Sequence, residues 1–415
     1  MHPIANGVMR AQLAFLFLSV IFSNKKIYTP MTQNSQSTDR HVDIAVIGAG
    51  IAGISLAAFL SPHARVLLVE QEGQPGYHAT GRSAAIYAPS YGPPAIRALT
   101  RASRAFFQSP PQGFSPYPLV TPRSVCFIAR SDQLSSADAL MNELGDVSPL
   151  RRLAPAEMRE LAPLLRPNYA ALALCDDSTA DIDVAALLQG FLMQSKGHGA
   201  RLGTHQRVVG MERQGEGWRL HMAQGEPVHA AVVVNAAGAW ADEVGAMAGA
   251  ERIGLLPKRR SAAIVQAPPG FDVRGMAAVI DVDEQFYVKP DAGNLLISPA
   301  NEDVQQPCDV QPEELDIALG LDRAMRAFDL DVKRIQAKWA GLRSFVADKT
   351  PVVGWSDKAS NFFWLAGQGG YGIQSSPALA ELAAAQILGR EIPSHILQEG
   401  LDLNALRVQR LAVSA

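Results

Sequence analysis

The sequence predicts an α/β fold built on a dinucleotide-binding βαβ unit, on three observations. An apolar, β-branched run, Val42 to Ile47 (VDIAVI), passes without a spacer into Gly48-Ala49-Gly50-Ile51-Ala52-Gly53. A helix-compatible stretch, ISLAAFLS, comes next, and a second strand, Arg65 to Val69 (RVLLV), ends in Glu70. Glu70 lies 20 residues beyond Gly50, the distance at which an acidic side chain accepts hydrogen bonds from the ribose of a bound dinucleotide. Each glycine has a physical task in such a unit. Gly48 permits the tight turn, Gly50 lets the backbone approach a pyrophosphate, and Gly53 lets helix and strand pack closely. The helix then turns free N–H groups and a positive dipole end toward the phosphates. A glycine-rich turn alone would be weak evidence; strand before, helix after and acid at the right distance make the pattern specific.

The chain's 415 residues allow two or three compact units with a large core. Hydrophobic residues at 48% and charged residues at 19% are ordinary globular composition and argue against extended disorder or a coiled coil. With 37 Lys+Arg against 40 Asp+Glu, the net charge of −3 provides no electrostatic footprint for nucleic acid. Cys126, Cys175 and Cys308 are far apart in sequence and lack CxxC spacing, so neither a disulfide framework nor a metal site is expected. At the start, Arg10 precedes the apolar run Ala11 to Phe22, which is too short to cross a bilayer and has no clear cleavage site. Met31 then opens a polar segment leading into the first strand. A dispensable extension, a peripheral membrane anchor and a signal peptide stay open as readings, and a cytoplasmic protein without an integral membrane span is expected.

Further along, Tyr77-His78-Ala79-Thr80-Gly81-Arg82-Ser83-Ala84-Ala85 is a small-residue segment able to wrap a bulky ring system and its phosphates. His78 could be a base, but beside Tyr77 in such a loop a structural role is expected. A strand from Ala231 to Asn235 runs into Ala236-Ala237-Gly238, a second small-residue turn. Near the end, Phe362 to Ala366 is followed by Gly367-Gln368-Gly369-Gly370-Tyr371-Gly372-Ile373-Gln374 and a helical run, whose N-terminus could stabilise negative charge on a reduced flavin. Trp240, Trp339 and Trp364 look like core anchors at strand ends.

The stretches GAGIAGIS, QPGYHATGRSAAIYAPSYGPP, LPKRRSAAI, FYVKPDAGNLL, SPAN, DVQPEELDIA, WAGLRSFVAD and GQGGYGIQ occur in order between Asp43 and Ser394. In them the chain resembles the FAD-dependent D-amino acid oxidase-like (DAO) superfamily, most nearly the bacterial D-arginine dehydrogenases. The resemblance implies a Rossmann-like FAD-binding domain of the DAO/glutathione-reductase type. It also implies an interleaved α+β substrate domain with a mostly antiparallel sheet. The expected division is residues 41–85, 171–250 and 345–394 for FAD and 86–170 and 251–344 for substrate, with 1–40 an extension outside the fold and 395–415 a tail.

The resemblance also implies roles. Arg343 and Tyr287 match the residues holding a substrate α-carboxylate, Arg260 another arginine lining the pocket, Tyr91 a lid tyrosine, and Gly370 a carbonyl receiving the substrate amine. A non-covalently bound FAD is expected against Gly48, Gly50, Ala52, Gly53, Glu70 and Gln71 in the βαβ unit. The wrapping loop adds Ala79, Thr80, Gly81, Arg82, Ser83, Ala84, Ala85 and Ile86. Val209 is carried over as a backbone contact on the adenine side, Gly238 from the second turn, and Gly369, Gly370, Tyr371, Gly372, Ile373 and Gln374 from the C-terminal loop. Taken alone, an arginine flanking a strand is usually solvated or paired with a carboxylate, and a strand tyrosine is usually packing.

The chain departs from that pattern where D-arginine dehydrogenases carry an acidic residue to pair with the substrate guanidinium. Here the sequence reads Arg123-Ser124-Val125, and Ile86 and Ala88 replace a His and a Thr. The expected activity is oxidative deamination of D-amino acids to 2-oxo acids and ammonia, by hydride transfer to flavin N5, favouring neutral or apolar side chains. Oxidase and dehydrogenase stay open, with oxygen or a quinone as acceptor. The rival activities are oxidation of glycine, secondary amines or 2-hydroxy acids, and a nicotinamide dehydrogenase or a non-catalytic binding protein would be a reading of another class.

Overall fold

The computed structural model describes residues 40–145 and 150–411; the N-terminal run and Met31, and with them the choice among extension, anchor and signal peptide, lie outside the described residues. The strands in chain order begin with β1 (His41–Ile47), β2 (Val66–Val69), β3 (Ile86–Tyr87), β4 (Val120–Pro122), β5 (Val125–Ala129) and β6 (Arg151–Arg152). Next come β7 (Leu172–Asp176), β8 (Ala180–Ile182), β9 (Arg201–Gly203), β10 (Val208–Gln214), β11 (Gly217–Met222) and β12 (Val228–Asn235). The series ends with β13 (Leu256–Val265), β14 (Ala278–Asp281), β15 (Tyr287–Asp291), β16 (Asn294–Ser298), β17 (Asp303–Val304), β18 (Ile335–Phe345), β19 (Val352–Trp355) and β20 (Phe362–Ala366). The helices that matter here are α1 (Ile51–Leu60), α2 (Pro94–Ala102), α3 (Val184–Gly197), α4 (Ala241–Met247), α5 (Glu314–Ala327) and α6 (Gly372–Ile387).

In the first sheet, β20, β12, β1, β2 and β9 run parallel, while β19 and the β10–β11 hairpin add antiparallel strands. A parallel sheet buries both faces, which is why its strands read as nearly unbroken apolar runs. Ile44, Val46, Val66 and Leu68 pack on one side against α1, α2, α3 and α6. Val42, Ala45, Ile47, Leu67 and Val69 pack on the other, with Trp218 and Leu220 of the hairpin and Val244 of α4. Each such aliphatic side chain contributes about 1.5–3 kcal/mol on full burial.

The second sheet has the order β17-β13-β16-β15-β14-β5-β7-β6, with β18 along β13. Its pairings are antiparallel except that of β14 with β5. Because strand side chains alternate, one face carries Val279, Val288, Leu295 and Ile297 into a core with Ala324 and Ala327 of α5. The opposite face carries Arg260, Ala262, Tyr287, Leu296, Trp339 and Arg343, which line a cavity between the two sheets. The sheet strands thus alternate in sequence between the two units, as expected of an FAD-binding fold with an interleaved α+β part.

Several expectations are corrected. Leu172–Asp176, expected in the second FAD segment, pairs with β5 in the antiparallel sheet; a five-residue apolar run does not encode its partner. Ala95, Ala98, Leu99 and Phe107, expected in the substrate part, pack into the core beside α6. Ile396, Leu401 and Leu406 of the expected tail are buried in that same core. Cys126 and Cys175, remote in sequence, face each other across β5 and β7 with their sulfurs 3.6 Å apart, as free thiols. Trp364 is fully buried and donates its indole N–H to Glu251, as a core anchor should. Trp240 and Trp339 instead line the cavity, where ring surface is left uncovered by protein.

Gly53 shows how tightly the first unit is built. A Cβ there would lie 2.0 Å from the Gly48 carbonyl oxygen, a distance only a backbone shift can relieve. Gly53→Ala should therefore cost about 1–3 kcal/mol of stability. Urea unfolding of the two proteins checks this, and equal midpoints would show α1 free to move away from β1.

Candidate active site

The cavity of about 370 Å³ opens at the C-terminal ends of β1, β2 and β12, where ligands bind in open α/β sheets. Gly48, with φ +102, turns the chain out of β1. The carboxylate of Glu70 accepts from Ala49 N at 2.8 Å and Glu72 N at 2.9 Å, one on each oxygen, and it lines the cavity with further lone pairs. Thr80 from the wrapping loop accepts the N–H of Ile51 at 3.0 Å. The remaining N–H groups of the first turn of α1, including those of Ala52 and Gly53, are left for an anion. Gly50, Ala52, Gln71, Ala79, Ser83, Ala84 and Gly238 also line the cavity.

Arg82 lines it too, but its guanidinium donates to Val310 O and Ala340 O and pairs with Asp309, so it fixes the loop to β18. His78 also lines the cavity; its Nε2 lies 2.8 Å from Glu72 Oε1 and its ring packs on Trp240.

At the other end stands the face of the second sheet. The guanidinium of Arg343 makes no hydrogen bond or ion pair with another described residue, and it lies against the glycine loop. A Cβ on Gly370 would be 2.9 Å from Arg343 Nη1. Burial works against its charge, yet the surrounding Tyr91, Tyr287 and Glu284 hold its pKa above the ordinary value. Arg260 is buried, donates from Nε to Asn301 O at 2.9 Å and from Nη2 to Glu302 at 3.2 Å. Its pKa is lowered, first by burial and then by the like charge of Arg343. Ala262, Leu296, Tyr287 and Trp339 give the same end an apolar character. Gly369, Gly370, Gly372 and Ile373 close it from the first unit.

Other expected residues stand elsewhere. Val208, not Val209, lines the cavity, while Val209 is 44% exposed. The register shifts between Val208 and Gly210, and such a bulge re-aims the side chains around it. Gln374 is buried and spends its amide on the 88–91 loop, accepting from Ala88 N and donating to Tyr91 O. Tyr91 packs on Tyr371, with ring centres 5.2 Å apart, and Tyr371 on Phe345, behind the lining. Gly81 lets the loop close on itself, a Cβ there standing 2.8 Å from Gly76 O. Ala85 takes φ +50, and Ile86 sits in β3 against Asp181. Val125 is 1% exposed and packs with Phe127 and Ile86 in a core cluster outside the cavity. Sequence reasoning missed Gln206, Ala262, Leu296 and Ser344 as lining residues. A signal existed only in the period-two spacing of Trp339, Gly341 and Arg343, and of Arg260 and Ala262.

The lining fits a flavin dinucleotide. The lone pairs of Glu70 toward the cavity and the free N–H groups of the first turn of α1 beside it suit the ribose and pyrophosphate of a dinucleotide.

Comparison with known proteins agrees. Residues 43–386 match the family model "DAO: FAD dependent oxidoreductase". The hydrogen cyanide synthase subunit HcnC of Pseudomonas aeruginosa is 28% identical over 211 residues, 49% of this chain and 48% of that protein. The mouse mitochondrial dimethylglycine dehydrogenase is 25% identical over 274 residues, 61% of this chain and 31% of that one. The chain thus spans less than half the length of these relatives.

Among solved structures, glycine oxidase from Geobacillus kaustophilus superposes with a TM-score of 0.73 at 21% identity, covering 85% of this chain and 96% of that one. L-proline dehydrogenase from P. horikoshii gives 0.72 at 22% identity, covering 90% and 99%. Both show the same fold. The chain belongs to the DAO family of FAD-dependent oxidoreductases, with FAD as its cofactor.

Proposed function

We propose that this oxidoreductase deaminates D-amino acids to 2-oxo acids and ammonia, favouring neutral or apolar side chains, with FAD held non-covalently. The observation that carries the reading is Arg343, a guanidinium on the cavity lining without a bonded partner among the described residues, beside Tyr287 and the Gly370 backbone. An arginine forks two parallel donors onto a carboxylate, and each charge-assisted bond contributes about 1.5–3 kcal/mol. Holding the carboxylate there fixes the α-carbon and its amine against the glycine loop. Bound FAD supplies the two-electron acceptor for the α-hydrogen, and the resulting imine hydrolyses in water. The D configuration rests on the motifs shared with D-arginine dehydrogenases, whereas three of the similar proteins are named for dimethylglycine, glycine and L-proline.

Side-chain preference follows from charge. Around Arg343 the lining offers Ala262, Leu296, Trp339 and Tyr287, with Arg260 as the other charged lining residue on that sheet face. The lining carboxylates, Glu70 and Glu243, belong to the β2 end and to α4. A cationic side chain would stand beside Arg343 and Arg260 with no lining carboxylate at that end to pair with it, which is unfavourable.

Anaerobic bleaching of the flavin with a panel of D- and L-amino acids, glycine, sarcosine and 2-hydroxy acids tests the reading. The expected result is reduction by D-Leu, D-Met and D-Phe with a kcat/KM above that for D-Arg; reduction by sarcosine, glycine or hydroxy acids alone would overturn it. Arg343→Ala should raise KM for the amino acid by about tenfold or more, and an unchanged KM would show the clamp misplaced. Burial pushes the hydroxyls of Tyr91 and Tyr371 above their ordinary value of 10.0. Both keep their protons to a higher pH than a free tyrosine, so kcat/KM should rise as the substrate ammonium loses its proton, with no descending limb from these two hydroxyls below about pH 10.

A further inference from the structure

Resting on the Arg343 clamp just proposed, we infer that Glu302 is an internal counter-ion that restricts the clamp to monocarboxylates. The cationic side chains on the substrate sheet are crowded. Lys258 of β13 lies directly opposite Arg343 of β18, and Arg260 is opposite Gly341 in the same ladder. Like charges directly across a pair of strands repel, so this face needs anions. Glu302, half-buried just before β17, supplies one. It accepts from Lys258 Nζ at 2.8 Å and from Arg260 Nη2 at 3.2 Å, and Lys349 Nζ stands 3.5 Å away.

The two lysines also flank the Phe345 ring, 5.7 and 5.6 Å from its centre, which limits where they can move. Asn301 O holds Arg260 from its Nε side. Glu284 also acts on Arg260 and Arg343, but from the exposed turn between β14 and β15. Glu302 therefore commits Arg260 and Lys258 and bonds nothing to Arg343. One carboxylate from the substrate completes the arrangement. A second one must compete with Glu302 for Arg260.

The test uses the FAD-loaded protein and follows flavin absorbance during titration with propionate and succinate, a mono- and a dicarboxylate. The wild type should bind propionate more tightly. Glu302→Gln removes the charge and should raise the ratio of succinate to propionate affinity about tenfold, while Glu302→Asp, which keeps it, should leave the ratio within about twofold. A general structural lesion would weaken both acids together and leave the ratio in place. An unchanged ratio in Glu302→Gln, a wild type that prefers succinate, or a wild-type flavin spectrum that answers neither acid overturns the inference. If Glu302→Gln fails to retain FAD, the wild-type preference decides. Failure of the catalytic reading is seen separately: no D-amino acid would bleach the flavin, whatever the carboxylate ratio does.

Discussion

The architecture depends on an approach of backbone to backbone that no side chain could share. A Cβ on Gly53 would stand 2.0 Å from the Gly48 carbonyl oxygen, and one on Gly48 would stand 2.4 Å from the carbonyl of Ala236. The end of β1, the start of α1 and the turn after β12 therefore meet at main-chain contact distance. This brings the first turn of α1 to the mouth of the sheet, with its N–H groups toward the cavity. It also sets Ala49 where its N–H reaches Glu70, so the acid that would meet a ribose simultaneously fixes the turn that would meet a pyrophosphate.

The second sheet is attached to this unit through the cofactor loop. Lys289 donates to Ala84 O at 2.7 Å, Trp339 donates to Arg82 O, and Arg82 returns a bond to Ala340 O. Gly341 makes room, since a Cβ there would already press on Arg82 at 3.3 Å. Ala85 accepts a left-handed φ of +50, of order 1–3 kcal/mol of strain for a non-glycine residue, and is held by Ser83 Oγ and the amide of Ile182. The 77–85 loop is thus the seam that joins the cavity face of the second sheet to the first unit. The chain crosses between the sheets several times because each crossing supplies part of that seam.

This explains what the sequence made legible. The βαβ unit was readable because its whole logic lies within 30 consecutive residues, from strand to turn to helix to acid. The substrate face was readable only through resemblance. Arg260 and Arg343 become neighbours by a β13–β18 register spanning more than 70 residues of intervening chain, and no local pattern specifies such a pairing. The slip from Val209 to Val208 arises from a bulge, a single extra residue that leaves composition and periodicity almost unchanged. Gln374 stands off the lining for another reason: its amide suits a site, but the structure uses it to hold the 88–91 loop.

The two arginines, separated by only one ladder step, illustrate how environment rather than residue type assigns a role. Burial opposes charge on both, and both feel Tyr91, Tyr287 and Glu284. Arg260 has its neutralising bonds within the protein, through Asn301 O and Glu302, and its pKa falls. Arg343 has none among the described residues, and its pKa rises. A buried cation kept charged without a protein counter-ion carries a desolvation cost that binding an anion relieves. In the proposed clamp that cost would be recovered as affinity for a carboxylate held between Arg343, Tyr287 and the glycine loop. A guanidinium already satisfied by the fold would bind an anion more weakly, which is why the proposed carboxylate clamp is assigned to Arg343 and not to Arg260.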